Sequence, residues 1–251
     1  MESLNLRKLS KYFGGVVASE NVDMEVPKGK ITGLIGPNGA GKTTIVNMIT
    51  GMLSVSSGSI VLGDQDITHS PAHAICRFGL ARTFQNIRLL GEATVLENVM
   101  IGFHKHEKSS LTACLLNLPE AYNETAAVKE DCLRMINEFS MGEFTHLKAG
   151  GLSYGHQRRV EIMRALASKP NFILLDEPVA GMNDVESEDM ATLFRKLTED
   201  GIGILLIEHN VSFVADLCDH IYVLDGGRLI SEGIADEVLN DPAVISAYLG
   251  D

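Results

Sequence analysis

Apolar and acidic residues alternate through Val22, Asp23, Met24, Glu25 and Val26, which predicts a half-exposed strand. Pro27-Lys28-Gly29 then turns the chain into residues 30–35, an apolar run that reads as a buried strand. Residues 45–51 read as a short helix closed by Gly51. Residues 59–63 form another short strand candidate. From about Pro71 to Ala167 the character is helical: Val128, Cys132, Met135, Ile136 and Phe139 keep a helical period, as do Val160, Met163 and Ala167. Residues 172–175 are an apolar strand. Residues 184–199 are a helix with Met190, Leu193, Phe194 and Leu197 on one face and Gly201 as its stop. Residues 202–207 are the next strand, and 221–224 with 228–231 flank Asp225-Gly226-Gly227 as a hairpin. The pattern predicts an α/β core with a helical insertion.

Between the strand at 30–35 and the helix at 45–51 lies Gly36-Pro37-Asn38-Gly39-Ala40-Gly41-Lys42-Thr43-Thr44. This fits the phosphate-loop spacing Gly-x-x-x-x-Gly-Lys-Ser/Thr, and strand, loop, helix is the order that spacing requires. Glycines let backbone N–H groups converge on phosphate oxygens. The helix N-terminus adds partial positive charge beneath them. Lys42 reaches the β- and γ-phosphates and Thr43 offers a hydroxyl to Mg²⁺. The chain is expected to bind a nucleoside triphosphate.

A second half of the site is expected 134 residues after Lys42, where the apolar run 171–175 ends in Asp176-Glu177-Pro178. In a parallel sheet the C-terminal strand ends form the edge where ligands bind. Asp176 suits Mg²⁺ held through water. Glu177, one residue on, points elsewhere and suits polarising an attacking water. Taken alone, either carboxylate reads equally as a helix cap or the start of a loop.

Composition narrows the function classes. The chain has 251 residues, 45% of them hydrophobic, enough for a substantial core. No apolar run approaches a membrane-spanning length, and residues 1–6 lack a signal-peptide pattern. Cys76, Cys114, Cys132 and Cys218 are scattered, which suits reduced thiols in a cytosolic protein. The net charge of −12 argues against nonspecific binding to nucleic acid or anionic lipid, so at a membrane another protein is expected to hold this one. His104 and His106 read as an exposed loop rather than a metal site, Leu115, Leu116 and Leu118 as a small satellite core, and Met100 and Ile101 as packing residues. Arg158 and Arg159 read as a solvated face or a contact to nucleotide across a dimer.

Between the two halves sits Leu152-Ser153-Tyr154-Gly155-His156-Gln157-Arg158-Arg159. It resembles the signature segment of ATP-binding cassette (ABC) proteins, usually Leu-Ser-Gly-Gly-Gln. The resemblance covers nearly the whole chain. By it, Phe13 stacks on adenine, Gln85 is the Mg²⁺-linked glutamine at the hinge to a helical subdomain, and Gly181 and Asn183 lie in the dimer loop after the carboxylates. His209 touches the γ-phosphate. Ser153, Tyr154, Gly155 and His156 face the ATP of a second cassette. The fold implied is a P-loop NTPase (RecA-like) core with an N-terminal antiparallel β subdomain. The whole of 1–251 is one ATP-binding domain, with the helical subdomain inserted at approximately 88–165.

A phosphate loop covers only one side of ATP, so a helix N-terminus from another subunit is a natural cap for the other. The Ser153-Tyr154-Gly155 turn is expected to precede a helix beginning near His156 or Gln157. Two residues depart from the family pattern: Tyr154 replaces the first Gly, and His156 replaces Gln. His156 reads as a tolerated exchange, with a pH-sensitive turnover as the alternative.

The hinge Gly79-Leu80-Ala81-Arg82-Thr83-Phe84-Gln85, an insertion from about 104 to 129 and the ending Ala247-Tyr248-Leu249-Gly250 resemble the ATPase subunits of branched-chain amino acid importers. Urea importers and a lipopolysaccharide exporter have similar ATPases. The resemblance implies a dimer partner, itself or a related cassette. It also implies two integral membrane permeases docking near 85–99, a solute-binding protein acting indirectly, and no nucleic acid. The expected place is the cytoplasmic face of a bacterial or archaeal plasma membrane. Rival readings are a soluble ABC ATPase of DNA repair or translation, and a non-hydrolysing ATP-binding regulator.

Overall fold

The computed structural model describes residues 2–103 and 119–249. The readings made at His104, His106, Cys114, Leu115, Leu116 and Leu118 lie outside these. The chain divides into two compact units. The first comprises Met1–Arg82, Asn171–Pro178 and Glu188–Asp251; the second comprises Thr83–Pro170 and Val179–Ser187.

The first unit holds two sheets. Strands β1 (Ser3–Phe13), β2 (Val16–Pro27), β4 (Ser57–Leu62) and β5 (Gln65–Asp66) form an antiparallel sheet in the order β2-β1-β4-β5. Along β2, Val22, Met24 and Val26 are buried while Asp23 and Glu25 are exposed, as the alternation requires. The second sheet takes the order β10-β9-β3-β8-β7-β6, from β3 (Ile31–Ile35), β6 (Leu80–Arg82), β7 (Phe172–Asp176), β8 (Gly203–Ile207), β9 (His220–Asp225) and β10 (Arg228–Gly233). All its pairs are parallel except β9 with β10. Every residue of β3, β7 and β8 is buried. That explains why these strands read as continuous apolar runs rather than alternations.

The strand at Leu80–Arg82 corrects the helical reading of 71–167. Three residues carry too little pattern to register, and their strand character comes from pairing with Phe172, Ile173 and Leu174. Helix α1 spans Lys42–Ile49 and α2 Ala72–Arg77. The first therefore begins three residues earlier than its apolar face predicts.

In the second unit, α3 (Val95–Gly102) packs against α4 (Pro119–Glu138) and α5 (Tyr154–Leu166). The approach to α5 is close: a Cβ at Gly102 would lie 2.1 Å from the Arg164 carbonyl oxygen. Ile101, expected to pack, is 48% exposed. Helix α6 (Asp184–Glu199) begins in this unit. Cys76, Cys132 and Cys218 are free thiols. Burial pushes Cys132 and Cys218 up to about 12, so both are inert at neutral pH.

Thr94 starts α3 with a capping box. Its hydroxyl accepts from the Glu97 N–H at 3.2 Å, and the Glu97 carboxylate accepts from the Thr94 N–H at 2.7 Å. Thr94→Ala is expected to cost about 1 kcal/mol, seen as a lower urea midpoint at unchanged slope; an unmoved midpoint would refute the cap's contribution. These bonds hold the Glu97 carboxyl below its ordinary value. Its share of the cap is therefore complete above the unfolded pKa and is lost as pH falls through the folded one.

Candidate functional site

The sheet order decides which loops meet. Ile207, at the end of β8, pairs with Leu34 of β3 on one side and Asp176 of β7 on the other. The phosphate loop after β3 and the carboxylates after β7 thus emerge at the same edge, about 10 Å apart across one strand. His209 follows β8 between them. Three separated stretches of sequence converge because parallel strands point their C-terminal ends the same way.

The phosphate loop is fixed by sterics. Gly36 has φ +149°, and a Cβ there would lie 2.0 Å from the Leu224 carbonyl oxygen. Helix α1 follows at once and carries no acidic residue of its own in its first turn. Lys42 and Thr43 sit in that turn. The Lys42 ammonium donates to the Gly36 and Pro37 carbonyls at 2.6 and 3.0 Å. Burial pulls its pKa below the ordinary lysine value, while the Glu177 and Asp176 carboxylates oppose the change. A phosphate entering the loop competes with two carbonyls for this charge.

Asp176 ends β7 and is buried. Its Oδ2 accepts from Arg82 at 3.1 Å, and the same guanidinium donates to Asn47 Oδ1 at 2.7 Å and Thr50 Oγ1 at 3.2 Å. Arg82 thereby ties the carboxylate strand to α1. Sequence reasoning missed this role; an arginine closing a strand of otherwise apolar residues is the signal that was available.

Glu177 has φ +49°, a left-handed conformation uncommon for a residue with a side chain. Its N–H is held by the Ile207 carbonyl at 2.9 Å. Strain of this kind collects where function needs a side chain re-aimed. The Glu177 carboxylate lies 3.8 Å from His209 Nδ1, and Glu208 lies at the same distance. Phe13 stands at the end of β1, 50% exposed, with the Lys11 ammonium 5.1 Å from its ring centroid. An exposed aromatic of this kind offers a stacking face.

The second unit carries the remaining candidates. Ser153 caps α5, its hydroxyl accepting from the His156 N–H at 3.4 Å. The helix begins at Tyr154, not near His156 or Gln157, because the serine cap starts it two to three residues earlier. Gly155 is therefore in the first turn. The His156 ring packs against Phe144 at 4.4 Å between centroids, and Tyr154 is 45% exposed. Gly181 is exposed, and Asn183 exchanges capping bonds with Glu186 at 3.0 and 3.1 Å. Arg158, expected on a solvated face, is fully buried and donates to the carbonyls of Phe84 and Gln85. Its spacing of three from Glu161 on an apolar helix face was the clue.

The Thr43 hydroxyl and the Asp176 carboxylate, both in the first unit, are hard oxygen donors of the kind that suits Mg²⁺. Among the described residues no cluster of three or more His, Cys, Asp or Glu could hold a metal alone.

The family described as "ABC transporter" matches residues 19–180, and "Branched-chain amino acid ATP-binding cassette transporter" matches 228–251. The chain is 38% identical to the high-affinity branched-chain amino acid transport ATP-binding protein BraF of Pseudomonas aeruginosa, covering 99% of this chain and 98% of that one. It is 37% identical to the corresponding protein LivG of Escherichia coli, with the same coverage. A solved nucleotide-free ATP-binding cassette from an ABC transporter is 36% identical over all of both chains, with a TM-score of 0.87.

Proposed function

The chain belongs to the ABC transporter family, and we propose that it is the ATP-hydrolysing subunit of an importer for branched-chain amino acids. One observation carries the reading. The phosphate loop, Asp176, Glu177 and His209 converge at one sheet edge in a chain whose last 24 residues match the branched-chain transporter family. That C-terminal match favours amino acids over the urea and lipopolysaccharide alternatives.

Each residue then has a task. Phe13 stacks on adenine. Gly36, Pro37, Asn38, Gly39, Ala40, Gly41, Lys42, Thr43 and Thr44 cradle the phosphates, with Lys42 supplying charge. Thr43 and Asp176, with Gln85 by the family resemblance, would hold Mg²⁺. When bound, that ion neutralises charge developing on the phosphates. Glu177 accepts a proton from the attacking water, and His209 orients the γ-phosphate and that water. Ser153, Tyr154, Gly155 and His156 close the site of a second cassette, with Gly181 and Asn183 at the same junction. ATP binding joins two subunits and hydrolysis releases them.

No helix among the described residues is long and apolar enough to cross a membrane. Two integral permeases supply the path, docking near 85–99 at the cytoplasmic face, and a solute-binding protein delivers substrate to them. Proteoliposomes holding this chain and its membrane partners, loaded with Mg·ATP on the cassette side and supplied with the solute-binding protein on the other, are expected to accumulate labelled leucine and not urea. Leucine uptake at equal rate without the chain, or urea uptake in place of leucine, would overturn the reading.

A further inference from the structure

Arg158 has the largest fully buried side chain among the described residues, and every group it holds lies in the second unit. One terminal nitrogen donates to the Phe84 carbonyl at 2.6 Å and to Glu161 Oε2 at 2.7 Å. The other donates to the Gln85 carbonyl at 2.8 Å and to the Tyr154 hydroxyl at 3.0 Å. Glu161 accepts from the Phe84 N–H through its other oxygen at 3.4 Å. Two successive carbonyls on one guanidinium fix the two peptide planes on either side of the Gln85 Cα. The Arg158–Glu161 pair acts as a surrogate strand edge for that hinge, holding both the N–H and the C=O of Phe84. A lysine ammonium lacks the planar fork needed to span these acceptors.

Tyr154 extends the network. Its ring packs beside Gly181, where a Cβ would lie 3.7 and 3.8 Å from two ring carbons. A Cβ at Gly155, the next residue, would lie 3.3 Å from the Glu186 carboxylate that pairs with Asn183. A glycine at 154, as in the usual signature, could make neither the hydroxyl contact nor the ring contact. Removing one partner of a buried ion pair is costly, and replacing the whole pair by apolar residues often is not, so such a pair is retained for what it specifies as readily as for stability.

We propose that Arg158 is a positioning residue which, with Glu161 and Tyr154, locks the hinge at Phe84 and Gln85 to the first turn of α5 and couples it through the Tyr154 ring to the loop at Gly181. Tyr154 is thus the mechanical link between hinge and dimer loop. The proposal rests on the reading of Gln85 as an ATP-site residue.

The test compares Tyr154→Phe, Arg158→Lys and Gln85→Ala in the full chain by amide hydrogen exchange and ATPase kinetics. Tyr154→Phe removes one oxygen and keeps the ring. It is expected to speed exchange at Phe84 and Gln85 at unchanged melting temperature, and to lower kcat about tenfold with KM for ATP held within about twofold. The kcat effect is expected to vanish in a Gln85→Ala background, because a lost positioning device costs nothing once its client is gone. Arg158→Lys is expected to act in the same direction and more strongly. Should it fail to fold, Tyr154→Phe carries the test alone. Unchanged exchange at Phe84 and Gln85, or kcat effects that multiply with Gln85→Ala, would overturn the proposal. Absence of ATP hydrolysis in the parent protein would instead sink the functional reading, and the exchange measurement would still judge the clamp.

Discussion

Glu177→Gln is expected to lower ATP turnover by on the order of 10²- to 10⁴-fold while leaving ATP affinity near the parent value. The substitution keeps shape and hydrogen bonding and removes basicity. The Glu177 backbone is held in the left-handed region, its N–H is fixed by Ile207, and its carboxylate lies 3.8 Å from His209 Nδ1. The two backbone constraints do not depend on charge, so the amide should occupy the same place. A loss confined to kcat is the signature of an interaction made in the transition state alone. The variant should also accumulate as an ATP-bound dimer, since closure needs binding and reopening needs hydrolysis. Single-turnover hydrolysis and size-exclusion chromatography with and without ATP measure the two effects. Hydrolysis at the parent rate would remove Glu177 from its role as general base.

The second large effect is structural. Arg82→Met is expected to destabilise the protein by about 3–5 kcal/mol, the usual consequence of taking one partner from a buried ion pair. Arg82 and Asp176 are only 9% and 10% exposed, and the guanidinium also holds Asn47 and Thr50 at the end of α1. Methionine fills similar volume, which confines the change to lost polar contacts. For a chain of this size the melting temperature should fall by roughly 6–20 °C. Arg82→Met combined with Asp176→Asn should recover part of the loss, because the uncompensated carboxylate is then absent. A melting temperature within about 2 °C of the parent would show that the pair contributes little. Calorimetry of the parent and the two variants decides this.

The nucleotide half of the site was legible because its chemistry is written in consecutive residues. The loop at 36–44 and the carboxylates at 176 and 177 are short motifs closing buried strands, and burial on both faces makes those strands apolar throughout. Most of the strands, and the helix at 184–199, followed from the same patterning. The family to which the chain belongs could be read from the signature at 152–157. What escaped depends on contacts between distant residues. Leu80–Arg82 is a strand only because Phe172 to Leu174 lie beside it. Arg158 resembled a surface arginine because a charge on a helix is usually solvated, and the carbonyls it holds lie 73 and 74 residues away in the chain. The start of α5 at Tyr154 was misjudged for a local reason: Ser153 caps the helix, and a cap outweighs the poor helix propensity of Gly155.

The pairing of β3 has a consequence for how the protein is made. This strand, which leads into the phosphate loop, is complete once residue 35 has been synthesised. Its neighbours are β8 and β9, and the second of these ends at Asp225. At ribosomal speeds of 5–20 residues per second, both edges of β3 wait roughly 10–40 s for their partners. An apolar strand with open edges is an invitation to pair with another chain. The strand at the centre of ATP binding is therefore among the first to be made and the last to be enclosed, and the nascent chain is most in need of a chaperone during that interval.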